Sequence, residues 1–229
     1  PSEMCIRDSF GPNNKFGFFP SASAGWIMSE EDFMKSQNVV SYLKWKTSYG
    51  RTGNSNLPDG LDYWLFRQGD NTYNGDNYLY STQLPNPDLK WEITDMFDFG
   101  LEVGLLDDRI SFEAAYYLKN SSDVILVLDI PKQMGYANYT DNVAKVMNRG
   151  WEFSLTSRNL VGKLEWTTIF NVTHNYNEVL DIGPYREDAI RGGTNDTRIV
   201  LNKPIGTNFL VRFSHVDPES GVPVYLDIN

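Results

Sequence analysis

Apolar and polar residues alternate along most of the segment between residues 89 and 173. Apolar or aromatic side chains recur at nearly every second position in four runs, which span residues 97–103, 110–118, 151–155 and 166–172. Successive side chains of a β-strand point to opposite faces, so each run predicts a strand with one apolar face and one polar face. Four such strands in succession predict one continuous antiparallel sheet.

Three further segments follow the same rule. Residues 15–26 alternate small and aromatic residues, residues 39–49 alternate apolar residues with polar ones, and residues 208–215 form another predicted strand. A last element begins at Val222. In the segment 39–49, Lys44 and Lys46 fall on the face opposite the apolar residues. Two lysines on one face indicate that this face borders a wet interior.

The connections between the predicted strands alternate in length. Long connections fall near residues 51–88, 120–146 and 177–206, whereas short ones fall near residues 28–38, 105–109, 159–163 and 217–221. The connection at 28–38 has room for a short helical turn. A soluble sandwich has no reason to place every long loop at one end, but an outer-membrane barrel has short turns on one side and long external loops on the other. The pattern therefore favours a barrel.

Composition narrows the class of protein further. Apolar residues make up 41% of the chain and aromatic residues 14%, which excludes a disordered chain. The longest purely apolar run, residues 124–128, is far shorter than the roughly 18 residues of a transmembrane helix. The formal charge of -10 argues against nucleic acid as a partner, because phosphates require a basic surface. Two histidines and one cysteine leave little for a zinc or thiolate site.

The single cysteine, Cys5, lies in a terminal segment that fits nothing after it. Residues 1–9 read PSEMCIRDS, which is similar to translated sequencing-adapter sequence at the ends of assembled environmental fragments. We therefore predict that this segment is an artefact and leave it out of the fold. The remainder of the chain then has no cysteine, as is common in exported bacterial proteins.

Two groups of aromatic residues are candidates for function. Aromatic residues of the first long connection offer flat ring faces that stack on sugars. Packing of the loop against itself is the competing interpretation. The residues are Tyr63, Trp64, Tyr73, Tyr78 and Tyr80. Tryptophans near predicted strand ends are typical of an aromatic girdle at a membrane surface. Packing in a soluble sandwich core is the alternative. The residues are Trp26, Trp45, Trp91, Trp151 and Trp166.

No pattern of catalytic residues is present in the sequence. Adjacent carboxylates such as Asp107 and Asp108, or Glu30 and Glu31, cannot easily bracket one glycosidic bond at the roughly 5 to 9 Å that hydrolysis needs. His174 and His215 have no nearby nucleophile in an elbow motif. Acidic loop residues also give a weak calcium hypothesis, for which the candidates are Asp59, Asp62, Asp70 and Asp76, or Asp181, Glu187 and Asp188.

Six ordered segments give the chain a family resemblance. They read KFGFFPSASAGW (15–26), LKWKTSYGRTGN (43–54), LPNPDLKWE (84–92), DDRISFEAAYYLKNSSDVIL (107–126), NRGWEFSLTSRN (148–159) and KPIGTNFLVRFSHVDPESGVPVYLD (203–227). In this order they resemble the C-terminal barrel of SusC/RagA-type TonB-dependent outer-membrane transporters. The resemblance covers nearly everything after Phe10.

The resemblance implies a fold and a function. The expected fold is all-β, an antiparallel transmembrane β-barrel fragment in which residues 10–229 form a partial barrel domain. About eight strands of a barrel of roughly 22 would form an open, curved sheet with long extracellular loops, and the plug, the TonB box and the closing strand would lie outside the chain. The implied function is import of glycans, oligosaccharides or peptides across the outer membrane of a Gram-negative, Bacteroidetes-like cell. A SusD-like surface lipoprotein and the TonB complex are the implied partners, and neither a cofactor nor catalysis is implied.

A secreted all-β carbohydrate-binding module is the alternative. The two hypotheses differ in the direction of the apolar faces. In a sandwich these faces meet in a shared interior, whereas in a barrel they point outward around a curved sheet.

Overall fold

The computed structural model is almost entirely β-structure. It describes residues 2–6, 10–11, 13–58, 60–69, 76–187, 190–191, 197–208 and 210–226, and for residues 2–6 and 191 it describes the backbone alone. The strands are β1 (Ser2–Ile6), β2 (Phe16–Ile27), β3 (Val40–Asn54), β4 (Phe66–Gln68), β5 (Leu79–Ser81), β6 (Glu92–Leu105), β7 (Ile110–Asp129), β8 (Asn138–Leu160), β9 (Trp166–Asp181), β10 (Ile190–Arg191), β11 (Thr197–Arg198), β12 (Thr207–Asn208), β13 (Arg212–Val216) and β14 (Pro223–Leu226).

One eight-stranded sheet dominates the fold. Its order is β1-β2-β3-β6-β7-β8-β9, every pair is antiparallel, and β10 pairs with β7 near the end of that strand. Three separate hairpins lie outside it, namely β4 with β5, β11 with β12, and β13 with β14. The order follows the chain, as expected for strands joined by hairpins. The predicted antiparallel sheet is confirmed.

The connections are short at one end of the sheet and long at the other. At the short end, β6 and β7 are joined by residues 106–109, and β8 and β9 by residues 161–165. The connection between β2 and β3 contains the 3-10 helix Met28–Glu30, which confirms the expected helical turn. At the other end, called the loop end here, the connection between β3 and β6 carries β4 and β5, and the connection after β9 carries β10 to β12.

The second long connection is shorter than the sequence predicts. β7 continues to Asp129 and β8 begins at Asn138, so only residues 130–137 separate them, including the 3-10 helix Lys132–Met134. The alternation is hard to recognise there because the β7–β8 register shifts twice, between Ser121 and Val124 and between Val124 and Ile125. Asp123, which lies in the first shift, has a left-handed φ of 55°. A bulge of this kind inserts a residue and hides the period of two.

The turn between β6 and β7 is unusually tight. Three consecutive residues, Leu106, Asp107 and Asp108, have φ of 55°, 57° and 58°. Aspartate tolerates this left-handed conformation better than most residues do. Ser41 supports the turn from β3, because its hydroxyl donates to Asp108 Oδ1 at 2.8 Å and accepts from the Asp108 backbone N–H at 3.1 Å. The Asp pair is thus part of the turn.

Closely packed side chains form two clusters, both near the loop end. One cluster contains Leu128, Val179, Ile182 and Ile190. The other contains Phe10, Leu89 and Trp91, with Phe19 against them. Between the clusters and the short turns, the described part of the sheet has no comparable core.

The backbone of β1 pairs with β2, in the register Ser2 to Pro20 through Ile6 to Phe16. This pairing does not test the origin of the first nine residues, and their assignment as an artefact stays a prediction.

We predict that Gly150→Ala destabilises the sheet. A Cβ at this position of β8 would overlap the carbonyl oxygen of His174 and the hydroxyl of Tyr117. Because backbone cannot yield as a side chain does, we expect a loss of about 1–3 kcal/mol. The measurement is the temperature at which the complete protein in detergent loses its heat-modifiable band.

Gly100→Ala is the matched control. A Cβ there would meet only the flexible side chain of Lys46, so we expect a smaller loss. Equal effects of the two substitutions would contradict the close approach at Gly150.

Candidate functional site

The main sheet has one apolar face. Residues that pair across strands share a face, and the strand registers place the alternating apolar residues of β3 and β6 to β9 side by side. The members of this apolar face are Leu43, Trp45, Phe97, Phe99, Leu101, Val103, Phe112, Ala114, Tyr116, Leu118, Trp151, Phe153, Leu155, Phe170 and Val172.

The apolar face is uncovered. Phe99 is 42% exposed, Trp151 45% and Phe170 52%. The rings of Phe112 and Phe153 meet edge to face within this face, with centroids 4.4 Å apart, but no described residue forms a second layer over it. A contiguous exposed apolar surface of this extent requires surroundings other than water. The sandwich alternative, which needs a shared interior, is therefore wrong.

The opposite face, called the polar face here, carries a network of polar contacts. Lys46 of β3 forms ion pairs with Glu102 of β6 and Glu113 of β7, each at 2.8 Å. Tyr117 donates to Asn175 Oδ1 at 2.8 Å across β8. The prediction that the lysines lie on a wet inner face agrees with these contacts.

A shallow cavity of about 350 Å³ opens on the polar face near the short turns. Small side chains form part of its floor and carboxylates its rim; the lining includes Gly104, Asp108, Ser111, Glu113, Ser154 and Thr156. A second depression of about 220 Å³ shares Glu113 and Ser154 with it. Carboxylates line both depressions, namely those of Glu102, Asp108, Glu113 and Glu152.

The apolar face ends in a row of polar and aromatic side chains toward the loop end. Arg51 donates to Asp95 through Nε at 2.8 Å and through Nη2 at 3.0 Å, and Tyr49 donates to the same carboxylate at 2.6 Å. On the same face, the guanidinium of Arg149 lies 5.0 Å from the ring centroid of Tyr176. The sequence analysis missed this row, although the alternation of polar residues at these positions contained the signal.

Four of the five predicted girdle tryptophans lie on the apolar face. Trp26 pairs with Trp45 across β2 and β3. Trp166 begins β9 and is 59% exposed, and Trp151 lies farther up β8. Trp26 and Trp166 stand at strand ends beside short connections, where a girdle is expected.

Trp91 differs from the other four. It is only 8% exposed and packs against Phe10 and Phe19, each with a ring-centroid distance of 5.3 Å. Its ring lies inside the cluster at the loop end and has little surface left for a membrane interface. An aromatic residue at a strand end gives the same sequence signal whether it lies at a membrane interface or packs inside a cluster.

The structure brings the predicted loop aromatics together only in part. Tyr78 and Tyr80 lie 6.1 Å apart in and beside β5, with exposures of 41% and 43%. The ring centroid of Trp64 instead lies 6.3 Å from that of Tyr136. Tyr136 belongs to the second connection and was not among the predicted residues. Tyr63 is 54% exposed. Tyr73 lies outside the described residues.

The polar groups considered for chemistry are dispersed. Asp107 and Asp108 form the tight turn, and His174 lies against Trp151 on the apolar face, with a ring distance of 6.0 Å. In the described part of the chain, no group of three or more His, Cys, Asp or Glu residues is placed to hold a metal ion. Of the calcium candidates, Asp59, Asp70 and Asp188 lie outside that part. No helix among the described residues is long and apolar enough to cross a membrane.

Comparison with known proteins identifies the family. The sequence profile described as "TonB dependent receptor-like, beta-barrel" matches residues 7–213. The chain belongs to this TonB-dependent receptor family. It is 36% identical over 212 residues to TonB-dependent receptor P26 of Formosa agariphila, which covers 89% of the chain and 21% of that protein. It is 34% identical over 233 residues to TonB-dependent receptor SusC of Bacteroides thetaiotaomicron, which covers 94% of the chain and 23% of SusC.

Two solved structures share the fold of this TonB-dependent receptor chain. The RagAB peptide transporter has a TM-score of 0.82 at 25% identity, over 95% of the chain and 24% of that structure's chain. The RagAB peptide importer in its "closed-closed" state has a TM-score of 0.84 at 23% identity, over 98% and 26%. The chain thus spans about a quarter or less of the length of these relatives.

These matches explain the two-faced sheet. It is a piece of an outer-membrane β-barrel whose apolar face borders the bilayer and whose polar face borders the lumen. The resemblance to SusC/RagA-type receptors, the expected barrel-fragment fold and the outer-membrane location are confirmed.

We predict that Phe153→Arg reduces the amount of folded protein in the outer membrane. Phe153 belongs to the apolar face, and an arginine that faces hydrocarbon costs about 2–4 kcal/mol near the bilayer midplane. The measurement is the heat-modifiable fraction in outer-membrane preparations of the complete protein.

Ser154→Arg is the matched control, because this neighbouring residue of β8 lines the polar face. We expect it to leave the folded fraction almost unchanged. If both substitutions are tolerated equally, the apolar face does not border lipid.

Proposed function

We propose that this chain forms part of an active transporter that imports oligosaccharides, or peptides, through the outer membrane. The observation that carries the proposal is the barrel wall itself, with an uncovered apolar face outside and a hydrated, charged wall inside. Similarity to SusC and to the RagAB peptide transporter supports it. The TonB complex would supply energy through parts of the transporter outside this chain.

Loop aromatics support the choice of substrate class. Trp64, Tyr78 and Tyr80 expose about half of their side chains at the end of the sheet that faces the outside. The Tyr78 ring lies over Gly69, since a Cβ at that glycine would overlap the ring. The hairpin thus holds the ring in place beside Tyr80, and its exposed part can contact a ligand. Flat, exposed rings suit the apolar face of a sugar, and equally the aromatic side chains of a peptide.

A SusD-like surface lipoprotein is the proposed partner. The long loops carry further exposed apolar side chains, including Phe66 at 63% and Leu79 at 70%. Loops that contact only water have less exposed apolar surface than this. We infer that part of it is covered by the lipoprotein in the assembled transporter. Tyr63, which is 54% exposed, stays a proposed substrate contact.

The proposed function is transport without catalysis. The family relatives are receptors, and the polar face presents ion pairs that neutralise its carboxylates, such as Lys46 with Glu102. A carboxylate held in this way is a poor proton donor.

We predict that Trp64→Ala and the double substitution of Tyr78 and Tyr80 by alanine weaken substrate binding. Each stacking contact contributes about 0.5–1.5 kcal/mol, so Trp64→Ala should bind roughly two- to tenfold more weakly, and the double variant, which loses two rings, roughly five- to a hundredfold. The measurement is calorimetric titration of the complete purified transporter with panels of oligosaccharides and of peptides.

Phe33→Ala is the control. Phe33 is 60% exposed but lies in the connection between β2 and β3, at the opposite end of the sheet. Its loss should leave affinity unchanged. Failure of every oligosaccharide and peptide to bind the parent protein would contradict the proposed substrate class.

A further inference from the structure

The segment after β9 crosses the inner wall of the barrel. β9 is the neighbour of β8, yet β10 pairs with β7 on the edge away from β8, in the register Ile190 to Leu128 and Arg191 to Val127. Gly183 lies close to Val143 of β8, the hydroxyl of Tyr185 reaches Asp141 of β8, and β10 lies beyond β7. Three strand spacings separate β9 from β10, about 14 Å. We use the term crossbar for residues 182–187 together with β10.

The register shows that the crossbar lies on the polar face. Val146 pairs with Ser121, and Ala144 pairs with Val124, so both residues of β8 continue the face that holds Lys119 and Asn148. Leu128 lies on the same face as Val124, four residues further along β7. Ala144 is 2% exposed, Val146 6% and Leu128 0%. Leu128 belongs to one cluster with Ile182 and Ile190 of the crossbar, and Gly183 lies close to Val143, the neighbour of Ala144. The crossbar therefore lies against this buried part of the polar face.

Apolar packing holds the crossbar against the wall. Ile182 and Ile190, at its two ends, are 7% and 9% exposed and belong to one cluster with Leu128 and Val179. Gly183 allows the sharp departure from β9, since its φ is 66° and its N–H donates to Asp181 Oδ1 at 2.9 Å. Full burial of such side chains stabilises by about 1.5–3 kcal/mol each. The crossbar is therefore a packed element of the fold.

One carboxylate joins the crossbar to the long connection between β3 and β6. Asp141 of β8 accepts from the hydroxyl of Tyr185 at 2.9 Å through Oδ2. Its Oδ1 accepts from the side-chain amide of Asn86 at 3.0 Å. Asn86 is 3% exposed and donates also to the carbonyl of Thr140 at 3.0 Å. The connection between β3 and β6 and the connection after β9 thus share one acceptor on β8.

The hydrogen bond from Tyr185 persists over the physiological pH range. Burial, followed by the bond to Asp141, raises the pKa of Tyr185 to about 12. A phenol with a raised pKa stays protonated, and the stabilisation it provides is complete below pH 10 and is lost only as the pH rises through about 12.

We propose that the crossbar is a latched cover over the inner wall at the mouth of the barrel, and that Asp141 is the positioning residue that fastens it. Closed, it hides the polar face of β7 and β8 near the loop end from the outside. Loss of the Tyr185 contact loosens the cover without removing any residue of the wall. The proposal does not depend on which substrate the barrel takes.

Cysteine accessibility tests the cover. Ala144→Cys places a thiol beneath the crossbar, and Ser154→Cys places one on the uncovered polar face, each in the complete protein without other reactive cysteines. Intact cells are treated with a maleimide large enough to be excluded by the crossbar but small enough to enter the mouth. We expect the thiol at 144 to react at least tenfold more slowly than the same thiol after denaturation. Rapid labelling at 144 in the folded protein would overturn the cover.

Tyr185→Phe tests the latch, because it removes one hydroxyl and keeps the ring. We expect labelling at 144 to become several times faster, and Asp141→Asn to act similarly but not additively with it. Tyr117→Phe, which removes a comparable bond to Asn175 on the same face, should leave the rate unchanged. An unchanged rate in Tyr185→Phe, with a normal heat-modifiable band, would overturn the latch. Substrate binding is not measured, so failure here is distinct from failure of the proposed transport.

Discussion

Backbone hydrogen bonding between neighbouring strands is the constraint on which this structure depends. Lipid offers no partner to an amide or a carbonyl, so a membrane-facing sheet must satisfy these groups through its own ladders. Strands of 12 to 23 residues in β2, β3 and β6 to β9 provide such ladders, with register intact over most of their length. The side chains of the two faces are then free to meet hydrocarbon on one side and water on the other. A central core is not needed, and the described clusters lie only where the chain leaves the regular sheet.

Departures from regular pairing occur near the loop end and have visible consequences. The two shifts between β7 and β8 lie just beyond Ser121, where β6 approaches its end. Beyond them, the polar face of the hairpin becomes apolar, with Leu126 and Leu128 in place of residues such as Lys119. These apolar side chains form the surface against which the crossbar packs. The bulges therefore separate a regular transmembrane wall from an external structure built on the same strands.

Much of the wall could be predicted from the sequence, because the period of two depends only on neighbouring residues. The alternation predicts the strands around Phe99, Phe112 and Phe153, and the unequal lengths of the connections predict a barrel. Other features depend on contacts between distant residues. The pairing of Ile190 with Leu128 has no local pattern, the partnership of Trp64 with Tyr136 joins two connections, and Trp91 has the same local sequence signal whether it faces lipid or packs against Phe10. For such features the sequence names the residue types but not their partners.

The row of Arg51, Asp95 and Arg149 fixes the vertical position of the barrel. A displacement toward the cell by two residues along the strands, about 7 Å, would carry an ion pair and a guanidinium into hydrocarbon, where each charge is costly. A displacement of the same size outward would lift Tyr116 and Trp151 into water. Both movements are opposed, so the barrel has a single preferred depth. Rings and loops beyond the row are consequently held near one height above the lipid.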